Sequence, residues 1–308
     1  MAFNWQTFRT RTISSIIFMV LMAAGLLWNQ WSFLLLFSII HFGCWWEYLK
    51  LTEKIYKTTF HPYVKVGLMV IGYGLMLGFC GPVYKLDGYG LKENLSLPVS
   101  GAGFAVILVG IFQKTRITLK SFGAAALGLL YISLSWGLMM DLADEVSYTA
   151  RLLAPQSHLS FGPFNYMAVL IPCVIILSLW INDTMAYLVG SLIGRTPLTK
   201  ISPKKTWEGT IGGLLLAVAG VGFLFSRIST DIVLPGARIH ISSITWFIIV
   251  AVSSVFGTFG DILESKLKRM AGVKDSGFLM PGHGGFLDRF DSLLIATPAV
   301  WFYLAFFK

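Results

Sequence analysis

Long apolar stretches separated by short polar segments dominate the hydropathy pattern of this chain. A membrane-spanning helix needs about 20 mostly apolar residues, and somewhat fewer when its flanks reach the interface. Nine stretches fit this requirement. They cover roughly 13–28, 31–46, 66–83, 98–113, 122–140, 165–182, 209–226, 241–258 and 291–307. The pattern predicts an all-α integral membrane protein with about nine transmembrane helices, the first two joined as a hairpin by a tight turn at Asn29–Gln30.

The distribution of lysine and arginine predicts the orientation of these helices. With the N-terminus in the cytoplasm, 18 of the 24 cationic residues fall in cytoplasmic segments. Such a bias follows the positive-inside rule. Two predicted charged loops, 183–208 and 259–291, then both face the cytoplasm. We therefore expect a multi-pass protein of the cell membrane in which a polar site formed by these loops lies at the cytoplasmic boundary.

The composition agrees with a membrane protein. Of 308 residues, 56% are hydrophobic and only 13% are charged, whereas soluble domains carry roughly 25% charged residues. No polar stretch is long enough for a separate soluble domain, so 1–308 is expected to be one polytopic domain. Within it, 1–160 would be an N-terminal transmembrane part and 161–308 the catalytic part. The net charge of +9 is better explained by orientation and anionic ligands than by nucleic acid, since the cations lie between apolar stretches.

Cysteine usage and the N-terminus add two expectations. Cys44, Cys80 and Cys173 are far apart in or beside apolar segments without any CxxC pairing, which favours packing roles over a zinc or redox site. Arg9 and Arg11 precede an apolar stretch in the manner of a signal sequence. Because similar stretches recur throughout the chain, this one is expected to be a retained first span.

The stretch from Asp261 to Ser292 is the densest group of polar residues. Its ionisable residues, together with Ser265, are Asp261, Glu264, Lys266, Lys268, Arg269, Lys274, Asp275, His283, Asp288, Arg289 and Asp291. Ionisable groups at a membrane boundary are costly and usually functional. Carboxylates interleaved with cations suit a site that holds a polyanion together with a divalent metal. A salt bridge at a helix end would explain any one of these residues. Such salt bridges alone would not require so dense a cluster of ionisable groups.

Helical spacing groups several of these residues. Asp261, Glu264 or Ser265, and Lys268 would share one face if the eighth span continues as a helix. Asp288 and Asp291 are three residues apart at the start of the last span, so both carboxylates can point the same way. Two carboxylates from different helices, completed by phosphate oxygens and water, are typical magnesium ligands.

A glycine-rich turn lies between those two helices. Pro281-Gly282-His283-Gly284-Gly285 precedes the last span, and glycines there let backbone N–H groups approach an anion. His283 is a candidate for donating to phosphate or shuttling a proton, and the alternative is that it orders the loop.

A second charged segment reads Ser202-Pro203-Lys204-Lys205-Thr206-Trp207-Glu208-Gly209. Its lysines are either ligands for an anion or topology anchors. Asp183 is harder to explain structurally, because it lies within the apolar run Met167–Gly194, where ionisable residues tend to be functional. Gly190 and Gly194 form a GxxxG spacing that favours helix packing.

These residues resemble the signature of the phosphatidate cytidylyltransferases, also called CDP-diacylglycerol synthases. The family pattern is Ser-x-hydrophobic-Lys-Arg, four residues, Lys-Asp, and a short glycine-containing stretch to His-Gly-Gly-hydrophobic-x-Asp-Arg-hydrophobic-Asp. This chain matches it at Ser265, Leu267, Lys268, Arg269, Lys274, Asp275, Gly277, Pro281, His283, Gly284, Gly285, Phe286, Asp288, Arg289, Phe290 and Asp291. Met280 departs from the usual Leu, Ile or Phe but keeps volume and apolarity.

The resemblance also includes the segments 182–187 and 202–209, so it covers about the last 130 residues. Residues 1–160 match only as a hydrophobic multi-span region. The resemblance implies a magnesium-dependent reaction of phospholipid biosynthesis, in which CTP and phosphatidic acid give CDP-diacylglycerol and pyrophosphate. The expected partners are CTP, phosphatidic acid and membrane lipids, with no nucleic acid; the sequence leaves a homodimer open.

The resemblance assigns roles to the candidate residues. Asp261 and Asp288 would bind the metal, and Asp183 and Asp291 would support it or hold a second cation. Asp183, Lys268, Arg269 and His283 join Asp261 and Asp288 as candidate catalytic residues. The candidate substrate-binding residues are Ser202, Lys204, Lys205, Glu208, Ser265, Lys266, Lys274, Asp275, Gly284, Gly285 and Arg289.

Two other functions remain as alternatives. A CTP-dependent lipid kinase would transfer the γ-phosphoryl group rather than CMP. A polytopic ion or anion transporter would carry ionisable groups near mid-membrane in several helices. Here most of these groups collect at one predicted boundary, which favours an interfacial enzyme.

Overall fold

A computed structural model describes residues 5–113, 117–143, 169–228, 232–234, 237–239, 242–278 and 284–307. Within these ranges the chain is mostly helical. The helices are α1 (Trp5–Leu27), α2 (Gln30–Tyr56), α3 (Pro62–Leu77), α4 (Leu91–Ile111), α5 (Leu119–Ala143), α6 (Leu170–Ile193), α7 (Trp207–Arg227), α8 (Ser243–Met270) and α9 (Leu287–Phe307). Two small antiparallel hairpins pair β1 (Lys85–Leu86) with β2 (Tyr89–Gly90) and β3 (Ile232–Leu234) with β4 (Ala237–Ile239).

Among the described residues, seven helices are long and apolar enough to cross a membrane, namely α2 and α4 to α9. The apolar part of α1 and the whole of α3 are shorter. An all-α membrane protein is therefore confirmed. The count of nine spans and the cytoplasmic N-terminus stay predictions.

The described chain divides into two compact units. The first comprises Met1–Gly137 and Lys266–Phe290, and the second comprises Leu138–Ser265 and Asp291–Lys308. The divisions fall within α5, α8 and α9, so these three helices contribute residues to both units.

An aromatic core around α2 holds the first unit together. The ring centroid of Phe37 lies 5.2 Å from that of Trp136. Ser133 on α5 binds two α2 side chains, because Trp45 Nε1 donates to its Oγ at 2.8 Å and His41 Nε2 lies 3.0 Å from the same oxygen. These bonds satisfy polar groups that would be costly to bury unpaired, and they fix α2 against α5.

Close packing of α6 on α7 dominates the second unit. A Cβ added at Gly209 would lie 3.0 Å from the Cα of Gly190, and one at Gly194 would lie 2.6 Å from Thr206 Oγ1. Only glycine allows the two helices this close an approach. The predicted packing role of Gly190 and Gly194 is confirmed.

Several helices extend beyond the ends of the spans predicted from hydropathy. Helix α2 runs to Tyr56 through the polar residues that follow its apolar part, whereas α6 runs to Ile193 because the apolar run that contains Asp183 continues to Gly194. The prediction that the charged segment begins at 183 as a loop is therefore wrong, since Asp183 lies within α6. The expected continuation of the eighth span as a helix is confirmed by α8, which ends at Met270.

Candidate active site

A pocket of about 460 Å³ in the second unit is lined by carboxylates and cations. Asp183 comes from α6, Asp261 comes from α8, and Ser202, Lys204 and Lys205 come from the loop before α7. The Lys205 ammonium forms an ion pair with Asp261, each side chain being 27% exposed. Asp183 interacts electrostatically with both Lys205 and Asp261. The structure thus brings together three residues that lie up to 78 positions apart in the sequence. We call this the carboxylate pocket.

Backbone hydrogen bonds fix the loop that carries Lys205. Its N–H donates to the Ser202 carbonyl at 3.1 Å, and its carbonyl accepts from the Leu198 N–H at 2.7 Å. Thr206 caps the start of α7, where its Oγ1 accepts from the Gly209 N–H at 3.2 Å. A lysine on so constrained a loop loses less conformational freedom when it binds an anion.

Glu208 orders the same loop. Its carboxylate accepts from the backbone N–H of Arg195 at 3.2 Å and from Thr196 Oγ1 at 2.8 Å. A carboxylate in the first turn of α7 also complements the positive end of the helix dipole. These contacts give Glu208 a positioning role in the structure.

The face predicted from the spacing of α8 is only partly formed. Ser265 Oγ donates to Asp261 Oδ1 at 3.3 Å, as the spacing of four residues predicts. Glu264 is fully buried and does not line the carboxylate pocket.

Asp288 organises a separate group of contacts in the first unit. Lys268 Nζ lies 2.7 Å from its Oδ1. The N–H groups of Ser276 and Gly285 each donate to its Oδ2 at 2.9 Å, and the Ser276 Oγ lies 2.9 Å from the same oxygen. Gly284 adopts a φ of +80°, a conformation that other residues rarely take. One carboxylate therefore joins the end of α8, the following loop and the start of α9.

Glu47 of α2 is a residue that the sequence analysis missed. It is 6% exposed and accepts from Ser276 Oγ at 2.7 Å, the Phe286 N–H at 3.0 Å and the Leu287 N–H at 2.8 Å. A Cβ added at Gly285 would collide with this carboxylate, so the glycine is required for the contact. The sequence did contain a signal for this residue, because Glu47 directly follows the predicted second span, and an ionisable residue in so apolar a segment tends to be functional.

The remaining predicted residues have varied surroundings. Asp291 is buried in the second unit, where its Oδ1 accepts from the Ser292 N–H at 2.6 Å. His283 lies outside the described residues. The exposed predicted residues of the first unit are Lys266, Arg269, Lys274, Asp275 and Arg289.

The carboxylate pocket offers a donor set that suits magnesium. Among the described residues there is no group of three or more His, Cys, Asp or Glu side chains that could hold a metal by itself. Magnesium rarely uses such a cage, since one or two carboxylates with substrate phosphates and water usually complete its octahedral shell. Asp183 and Asp261 supply two carboxylates to one pocket, so the residues present fit this ion.

Comparison with known proteins identifies the family of this chain. Residues 9–307 match the model of the cytidylyltransferase family. The phosphatidate cytidylyltransferase of Bacillus subtilis is 34% identical over 209 residues, which are 67% of each chain. The chain belongs to the phosphatidate cytidylyltransferase family. It is accordingly a nucleotidyltransferase, as the sequence predicted.

Two further relatives show how far the likeness extends. The phosphatidate cytidylyltransferase of Thermotoga maritima is 31% identical over 266 residues, covering 80% of this chain and 93% of the relative. Phosphatidate cytidylyltransferase 4, chloroplastic, of Arabidopsis thaliana is 34% identical over 221 residues, and the match spans about half of that longer protein (53%). The match to the Thermotoga protein extends well beyond the C-terminal third that carries the signature.

Proposed function

We propose that this member of the phosphatidate cytidylyltransferase family converts CTP and phosphatidic acid into CDP-diacylglycerol and pyrophosphate. The observation that carries the proposal is the carboxylate pocket, in which Asp183 and Lys205, from two segments that match the family, meet Asp261, four residues before the signature begins. The names of the relatives support the choice of both substrates.

The chemistry requires no activated side-chain nucleophile. An ionised phosphate oxygen of phosphatidic acid attacks the α-phosphorus of CTP, and the bond from that phosphorus to the oxygen bridging to the β-phosphorus breaks. CMP becomes bonded to the lipid phosphate and pyrophosphate leaves with the electron pair of the broken bond. The protein has to bring two anions together and stabilise charge on the phosphorus and the leaving group.

The cations of the chain are suited to that task. Lys204 and Lys205 line the carboxylate pocket, where they would hold phosphate oxygens of the nucleotide. Lys268 is paired with Asp288, so its proposed role is to position the loop before α9. The exposed Lys266, Arg269, Lys274 and Arg289 remain proposed phosphate-binding residues.

A magnesium ion is proposed as the cofactor, held by Asp183 and Asp261. When bound, it would neutralise the oxygens of the reacting phosphates and of the pyrophosphate. Asp288 and Asp291 remain sequence-based candidates for the same ion or a second one. We further propose that the site faces the cytoplasm, on the basis of the distribution of lysine and arginine.

Labelled CTP tests the proposed reaction. Purified protein with phosphatidic acid, magnesium and α-labelled CTP should yield a labelled lipid, whereas γ-labelled CTP should yield labelled pyrophosphate only. EDTA should abolish both signals. Label from the γ-phosphate in the lipid would favour a lipid kinase, and solute movement in proteoliposomes without liponucleotide formation would favour a transporter.

A further inference from the structure

A second pocket, of about 700 Å³, lies in the first unit beside the last turns of α2. Lys50 and Lys54 line it from α2, and Lys274 lines it from the segment after α8. In the part of the chain that the structure describes, no ion pair joins any of these three lysines to a carboxylate. We call this cavity the α2 pocket. None of the residues that line the α2 pocket lines the carboxylate pocket, so the function proposed for the carboxylate pocket assigns no role to the α2 pocket.

The charge balance of the α2 pocket favours an anion. Its lining includes two carboxylates, Glu47 and Asp275, against three lysines. The Glu47 carboxylate already accepts hydrogen bonds from Ser276, Phe286 and Leu287, which offset its negative charge. The net charge is therefore positive, and ammonium groups that form no ion pair can donate charge-assisted hydrogen bonds to phosphate.

The same pocket presents aromatic surface. Trp46 is 48% exposed and Phe278 is 93% exposed, and both line the cavity. Lys50 Nζ lies 5.0 Å above the Trp46 ring. Tryptophan beside lysine is typical of membrane interfaces. A soluble anion would gain nothing from these apolar groups, whereas the glycerol and upper acyl chain of a lipid would cover them.

The length of α2 places this surface near a membrane boundary. The helix has 27 residues, more than the roughly 20 needed to cross the hydrocarbon core. Its lysines are confined to the last two turns, after the apolar part. A spanning α2 would therefore carry Lys50 and Lys54 into the headgroup region, where each lysine attracts anionic lipid.

We propose that the α2 pocket binds the phosphate of a membrane lipid, with the phosphomonoester of phosphatidic acid as its ligand. The lysines hold the phosphate oxygens, while Trp46 and Phe278 contact the apolar part of the lipid. The choice of phosphatidic acid rests on the proposed function, but binding at this pocket does not require turnover.

Binding without CTP tests this proposal independently of catalysis. The full chain in detergent is titrated with phosphatidic acid and, separately, with phosphatidylcholine of the same acyl chains, and bound lipid is counted by native mass spectrometry. The double variant Lys50→Gln, Lys54→Gln is compared with Lys57→Gln, Lys120→Gln, which removes the same charge from exposed positions outside the pocket. The first should weaken phosphatidic acid binding on the order of tenfold, and the control by less than twofold.

Three results would overturn the proposal. Equal weakening in both double variants would mean general surface charge, and no weakening in either would exclude the α2 pocket. Displacement of the lipid by an equal concentration of inorganic phosphate would mean a soluble anion rather than a lipid. A different result separates this inference from the proposed function. If the wild-type protein binds phosphatidic acid at the α2 pocket but makes no CDP-diacylglycerol, only the proposed function is refuted.

Discussion

Asp183 and Asp261 are like charges that would repel each other if no cation lay beside them. Lys205 supplies that cation through its ion pair with Asp261. A partly exposed pair of this kind adds little to stability, about 0–1 kcal/mol. Its importance lies instead in keeping two carboxylates and an ammonium group in one pocket, where the proposed metal ion and phosphate oxygens would bind.

Removing either carboxylate should affect catalysis more than folding. Asp183→Asn and Asp261→Asn each delete a negative charge from a pocket-lining side chain without changing its size. We expect turnover to fall by at least about 10²-fold, with the thermal unfolding temperature nearly unchanged. Asp87→Asn, at an exposed turn, is the matched control and should keep wild-type activity. Full magnesium-dependent turnover in the Asp261→Asn protein would refute the assignment.

At the residue scale the sequence was informative for the ionisable residues of 183–208 and 259–291, but not for Glu47. Asp183, Lys205 and Asp261 were all predicted, and the structure places them in one pocket. The partner of each residue was harder to predict. Asp288 was expected to serve a metal, and its contacts with Lys268, Ser276 and Gly285 have no signature in the local sequence.

Among the elements, α2 anchors the loop that leads into α9. Glu47 binds Ser276 and Leu287, which are 229 and 240 residues away. Periodicity predicts the position of a helix within one segment, but it carries no information about which distant loop the helix will contact. That is why the spans could be predicted from hydropathy, whereas the role of Glu47 could not.

Breaking this anchor should destabilise the start of α9. Glu47→Ala removes the acceptor of three hydrogen bonds and leaves buried donors unpaired, which costs about 1–3 kcal/mol. We expect a lower unfolding temperature and reduced turnover. The unfolding temperature and turnover of Glu47→Gln should lie between those of the wild type and Glu47→Ala. The amide oxygen still accepts a hydrogen bond, whereas the NH₂ group faces N–H donors.

Differential scanning fluorimetry in detergent, together with the turnover assay, measures both effects. Glu93→Gln changes an exposed glutamate in α4 and serves as the control. If Glu47→Ala unfolds at the wild-type temperature and retains its activity, the contacts of Glu47 do not support the loop as we infer.

At the scale of the whole molecule, hydropathy predicted the all-α membrane architecture. It did not predict that the segment Lys266–Phe290 belongs to the same compact unit as Met1–Gly137. Such long-range association depends on side-chain complementarity between segments far apart in the chain. The predicted orientation rests on charge distribution alone and needs a test of its own.

Cysteine labelling measures that orientation directly. In a background in which Cys44, Cys80 and Cys173 are replaced by alanine, single cysteines are introduced at Lys57 and at Lys92. A cytoplasmic N-terminus predicts that a membrane-impermeant maleimide labels the Lys92→Cys protein in intact cells. The Lys57→Cys protein should react only after permeabilisation. The reversed pattern would place the predicted active site outside the cell.

The central claim is that Asp183 and Asp261 together hold the divalent ion on which the reaction depends. Manganese, a paramagnetic substitute for magnesium, allows its binding to the purified full chain to be measured by electron paramagnetic resonance. We predict that the wild type and the Asp87→Asn protein bind manganese and that magnesium competes for the site. The manganese affinity should be at least about tenfold weaker in the Asp183→Asn and Asp261→Asn proteins. Equal manganese affinity in all four proteins would contradict the account.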